Sequence, residues 1–104
     1  MKQNEIYSLL GLAAKAGKIV SGEFAVENAI KSGKAALVIV GSDASDNTKK
    51  LFQDKCKFYK ISFMEYGEKD QLGHAIGKDV RSSIAVMDFG FAKAIHKKVE
   101  ASVR

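Results

Sequence analysis

Apolar positions along this chain recur with two alternating periods, and the period changes at glycine. Ile6, Leu9, Leu10, Ala13 and Ala14 repeat at helical spacing ahead of Gly17. Asn4 is placed to cap that first helix. Residues 18–21, KIVS, then read as a short strand. Val26, Ala29, Ile30 and Gly33 fall at i, i+3, i+4 and i+7, one face of a helix from about residue 23 to 32. Gly22 can open this helix and Gly33 can close it. Residues 35–40 carry no charge and end in Leu37, Val38, Ile39 and Val40, the pattern of a strand covered on both faces. The stretch 17–41 is the organising unit of the chain.

The second half repeats the alternation. Ser45, followed by Asp46 and Asn47, predicts a helix start, with Thr48, Leu51, Phe52 and Cys56 on one side. Tyr59, Ile61 and Phe63 form a period-two set, which predicts a strand over 58–63. A short helix is expected over 69–76, with Leu72, Ala75 and Ile76 inward. Gly73 would let that helix pack closely on a neighbour, and Gly77 would end it. Residues 78–83 form a polar loop holding one apolar residue, Val80. Residues 84–87 predict the last strand. Asp88 caps a closing helix with Phe91, Ile95 and Val99 as its seam and Val103 as an extension. Helix and strand alternate throughout, which implies crossovers and helices on both faces of one sheet. The expected fold is an α/β, three-layer α/β/α sandwich around a small, mixed four-stranded sheet.

Composition narrows this little. A chain of 104 residues predicts one domain spanning 1–104. The single cysteine, Cys56, has no thiol partner for a disulfide and reads as a small core residue. The N-terminus has helical spacing rather than signal-peptide character, and no apolar run approaches a membrane span, so a cytoplasmic protein without membrane contact is expected. The net charge of +5 suits a nucleic-acid partner. It also suits any small soluble domain. Arg81 and Arg104 are the only arginines among seventeen basic residues, and lysine is the commonest surface-solvating cation.

Enzyme chemistry finds no foothold in the motifs. His74 and His96 stand far apart, and there is no HxxH, CxxC or HExxH spacing, so no metal is expected. There is no GxSxG, no GxGxxG and no phosphate-loop pattern, so neither an enzyme nor a cofactor is expected. The strand-to-helix turn at residues 18–22 is left. A helix N-terminus presents unpaired amides and the positive end of the dipole, and glycine allows another backbone to approach. Lys18 adds positive charge nearby, and Gly22 makes the turn in any case.

The segments GKIVSGEFAVENAIKSGKAALVIVGSDAS, LGHAIGK and IAVMD resemble the kink-turn-binding ribosomal protein superfamily, which includes the seven-Ae and thirty-e ribosomal proteins. The opening LLGLAAKAGK, DASDNTKK and DFGFA are most similar to its small bacterial YlxQ-like branch. The resemblance implies the same three-layer fold. It also implies that the start of the second helix enters the widened groove of a bent RNA helix. There the family carries a glycine, a spacer, an asparagine, a glutamate and, three further on, a lysine. Here those positions hold Gly22, Glu23, Phe24, Ala25 and Asn28, so the family's base-reading side chains are not retained. Phe24 stacks on a base if exposed and joins the core if covered. Glu23 suits a helix N-terminus but opposes phosphate.

The family's second contact is the loop before the last strand, where an apolar residue packs on an extruded nucleotide. Here that residue is Val80, flanked by Lys78 and Arg81, while Lys18 sits where the family carries basic residues before the glycine. The implied RNA-binding set is Lys18, Gly22, Glu23, Phe24, Asn28, Lys78, Val80 and Arg81. Implied partners are structured RNA, either ribosomal or kink-turn, and the ribosome, with the chain a monomer or weak homodimer. The alternative is a protein-interaction module that has lost base-specific readout and docks a translation or transcription factor.

Overall fold

The computed structural model describes residues 2–102. The chain runs α1 (Lys2–Lys15), β1 (Ile19–Ser21), α2 (Glu23–Lys31), β2 (Leu37–Val40), α3 (Asp46–Tyr59), β3 (Ser62–Glu65), α4 (Lys69–Ala75), β4 (Ser83–Val86) and α5 (Phe89–Ser102). The strands form one sheet in the order β1-β4-β2-β3. β4 pairs antiparallel with both β1 and β2, whereas β2 and β3 are parallel, so the sheet is mixed.

Strand side chains alternate between two cores because successive residues point to opposite faces. Leu37, Ile39, Ile84 and Val86 face a core completed by Ile6 and Leu10 of α1, Leu72 of α4 and Ile95 of α5. Val38, Val40 and Ala85 face the other, completed by Val26 and Ile30 of α2 and by Phe52 and Cys56 of α3. Both faces of β2 and β4 are therefore dry, which explains the uninterrupted apolar run at Leu37–Val40. The result is the expected three-layer sandwich. Cys56 is buried among apolar neighbours, and burial pushes its thiol up to about 11.

Several boundaries differ from the sequence expectation: β1 begins one residue later, at Ile19, and β2 two residues later, at Leu37. α1 opens at Lys2, two residues before Asn4. The strand expected over 58–63 is a helix end followed by a later strand. α3 continues to Tyr59, and Lys60 takes the left-handed conformation, φ 60° and ψ 46°, as its C-cap. The Ile61 amide then donates to the Cys56 carbonyl at 2.8 Å, and β3 begins at Ser62. No glycine marks this stop, so the aromatic alternation extended the apparent strand backwards. β4 begins and ends one residue earlier than expected. Val103 lies outside the described residues.

The remaining caps follow local chemistry. Ser45 Oγ accepts from the Thr48 amide at 3.1 Å and closes the start of α3. Asp88 Oδ2 accepts from the Phe91 amide at 2.9 Å and does the same for α5. Asp43 Oδ1 reaches across 26 residues to accept from the Lys69 amide at 2.9 Å, anchoring the start of α4.

Candidate nucleic-acid interface

The mouth of α2 forms where three connections meet at one end of the sheet. β1 runs outward to Ser21, β4 enters at Ser83 opposite it, and β2 leaves at Val40 beside them. The Gly22 amide donates to the Ser83 carbonyl at 3.0 Å, tying the turn to the start of β4. Gly22 sits at φ 93° and ψ 155°, a backbone region that L side chains rarely adopt. This conformation turns the chain from β1 directly into α2. Its carbonyl accepts the first helical bond, from the Val26 amide at 3.0 Å. No side chain caps α2, so its first-turn amides keep their free hydrogens and the positive end of the dipole.

A hollow of about 350 Å³ opens on these amides, lined among others by Ser21, Gly22, Glu23, Thr48, Val80 and Arg81. Its far wall is the loop over residues 78–82, held in place by α4. Gly73 lets the loop lie on the helix itself: a Cβ there would stand 1.4 Å from the Asp79 carbonyl oxygen. The close neighbour foreseen for Gly73 is thus this loop. The Lys78 amide donates to the Gly73 carbonyl at 2.8 Å and the Arg81 amide to Lys69 at 3.0 Å. This fixed loop presents Val80 outward, 52 % exposed, rather than buried in the core.

Arg81 bridges the two halves of the hollow. Its Nε donates to Ser21 Oγ at 3.0 Å, and its Nη1 donates to the Val80 carbonyl at 2.9 Å. The guanidinium is thereby oriented at the edge of the α2 mouth, with donors left over. Phe24 stands on the outer flank of α2 and is 79 % exposed, so the core reading of this residue is excluded. It borders a second, open groove with Val20, Asn28, Lys31, Lys34 and Met87.

The structure thus brings Gly22, Glu23, Val80 and Arg81 around one hollow, with Phe24 and Asn28 along the adjoining groove. It does not bring Lys18 there. Lys18 precedes β1 at the opposite end of the strand, where its carbonyl accepts from the Met87 amide at 2.8 Å. Lys78 is exposed on the loop but outside the lining of the hollow. Sequence reading missed Thr48 and Ser21. The Ser45 cap was a usable signal for Thr48, because it starts α3 just after β2, at the end of the sheet where β1 gives way to α2.

Among the described residues no group of histidine, cysteine, aspartate or glutamate side chains is placed to hold a metal ion. No helix there is long and apolar enough to cross a membrane.

The chain is 43 % identical over 95 residues to the RNA-binding protein YlxQ of Bacillus subtilis (strain 168), covering 91 % of this chain and 95 % of that one. It is 38 % identical over 93 residues to the RNA-binding protein YlxQ of Enterococcus faecium, covering 89 % of each. The solved structure of a protein of unknown function from Bacillus halodurans superposes with a TM-score of 0.88 at 42 % identity, covering 91 % of this chain and 96 % of that one. Residues 4–96 match the ribosomal protein L7Ae/L30e/S12e/Gadd45 family, and the chain belongs to that family.

Proposed function

We propose that this chain binds structured RNA without catalysing a reaction, and that it grips a sharply bent helix, ribosomal or kink-turn, at the mouth of α2. The observation that carries this reading is the convergence of uncapped α2 amides, the anchored Arg81 guanidinium and the exposed Val80 around one open hollow. The amides and Arg81 take phosphate oxygens, and Val80 packs on an unstacked nucleotide. Phe24, Ala25 and Asn28 stand where the family carries polar base readers. Recognition here therefore rests on shape, phosphate and stacking on Phe24 rather than on base-edge hydrogen bonds. Lys18 and Lys78, outside the hollow, contribute through the longer-range field. Glu23 at the rim opposes phosphate and selects against approach from its side.

The test is titration of a kink-turn RNA and of a straight duplex of the same composition over a salt series. The bent RNA should bind more tightly, with affinity falling as salt rises. Equal affinity for both RNAs would remove the bent-helix reading, and affinity independent of salt would remove the phosphate reading.

A further inference from the structure

We infer that the end of the molecule opposite the α2 mouth is a docking groove for an acidic protein segment carrying a bulky apolar side chain. A hollow of about 700 Å³ opens there between the start of β2, the edge strand β3 and the first turns of α5. That volume is in the range of sites that enclose a ligand. Its walls are concave because small residues line them: Ala36, Ser62, Gly90 and Ala92 stand where larger side chains would fill the space. Phe89 stands at its lip, 83 % exposed, and extends the apolar surface of the hollow outward. β3 is the last strand of the sheet and pairs only with β2, so an extended segment has an edge to follow.

Charge identifies the occupant. Lys93 and Lys97 rise from successive turns of α5 at the rim. Lys31 and Lys60 rim an adjoining hollow that shares Phe89 and Ser62 and includes Tyr59. No carboxylate lines either hollow. The nearest two on α5 and its cap are engaged: Asp88 accepts from the Phe91 amide, and Glu100 lies 3.6 Å from His96. None of the four lysines has an ion-pair partner among the described residues. An apolar hollow inside an unmatched cationic rim fits an apolar anchor flanked by Asp or Glu. A second copy of this chain would set the same lysines against each other. A polynucleotide would find stacking rings at the lip and lysines for phosphate at the rim, but the walls are mostly apolar, with Ala36, Leu37, Gly90 and Ala92, and offer base edges little beyond Ser62 and His96.

The experiment is peptide-display selection on the immobilised full chain, followed by synthesis of an enriched peptide. Enriched sequences should carry an aromatic or large aliphatic residue beside acidic ones. Binding should fall roughly tenfold or more in a Lys93→Glu/Lys97→Glu variant and also in Ser62→Phe, which fills the hollow from an exposed position. Amide resonances of Ala36, Leu37 and Ala92 should shift on peptide addition, while those of Gly22 and Ser83 stay. Ser62→Phe should leave kink-turn RNA affinity unchanged, so this inference and the proposed function fail separately. No enrichment, or enrichment of sequences without acidic residues, overturns the docking groove. Shifts at the same amides from a twelve-nucleotide oligouridine overturn it in favour of a second RNA surface. A concentration-dependent dimer abolished by Ser62→Phe overturns it in favour of self-association.

Discussion

The starts of α2 and α3 lie at the same end of the sheet and are finished in opposite ways. At α3, Ser45 folds its hydroxyl back onto the Thr48 amide, and that N-terminus is spent internally. At α2, Gly22 offers no side chain, and the equivalent amides are left over. A serine at a cap typically stabilises a helix by about 1 kcal/mol relative to alanine. Glycine at a cap falls short of serine by only about a few tenths of a kcal/mol, and Gly22 makes a turn no other residue makes cheaply, with its φ at 93°. The pair teaches that a helix end closed by a side chain and one left uncapped are distinguishable by their caps. The closed one secures the fold, and the open one has room for an anion.

This contrast can be broken at several points. The largest effect belongs to Gly73→Ala, which drives a methyl into the Asp79 carbonyl and forces the Val80 loop off α4. Overpacking of this kind costs about 1–3 kcal/mol. Denaturant unfolding should show that loss, and RNA titration a larger one than any single side-chain deletion in the loop. Gly22→Ala follows, at about 2 kcal/mol from backbone strain alone, since nothing stands within 4 Å of the added Cβ. It should also weaken RNA binding because the mouth is re-aimed. Ser45→Ala should cost about 1 kcal/mol in thermal unfolding while changing RNA affinity much less than Gly22→Ala. Equal RNA losses at the two caps would erase the distinction between them. Arg81→Ala should flatten the slope of log affinity against log salt by about 1, with a small stability loss from the Ser21 hydrogen bond.

The last effect is read only at alkaline pH and concerns Cys56 on the inner face of α3. Cys56 ionises less readily in the fold than in the open chain, because burial raises its thiol from 9.0 to about 11. The unfolded thiol therefore ionises first. The stability it contributes is complete below about pH 9 and is lost progressively as pH rises toward 11. Cys56→Ala should flatten that part of the pH–stability curve, as read by urea unfolding at fixed pH values.

Elements with a strong signal at both ends were legible in the sequence. α2 lies between Gly22 and Gly33, and β2 declares itself by an unbroken apolar run that only a two-sided core requires. The end of α3 was not legible, because Lys60 takes a left-handed conformation that sequence patterns assign to glycine or asparagine. Site residues divide in the same way. Gly22, Val80 and Arg81 could be nominated from turn chemistry and family resemblance, and they do surround one hollow. Lys18 was nominated by nearness in sequence and by the same resemblance, but an extended strand carries three residues roughly 10 Å, so it stands at the other end of β1. Thr48 and Ser21 were passed over, because the Ser45 cap and the 18–22 turn show their place along the chain but not which strand ends lie side by side.

The sequence by itself determined the alternation of elements, the two-faced burial of β2 and the glycine at the mouth of α2. Each of these follows from local periodicity and backbone preference. Only the tertiary structure decided that β4 threads between β1 and β2, which sets Ser83 against Gly22 and brings Arg81 to Ser21 across 60 residues. It alone decided that Phe24 and Phe89 face outward at opposite ends of the sheet. Local patterns state which way a residue leans, but strand order is fixed by burying two cores at once, and that is a property of the whole chain.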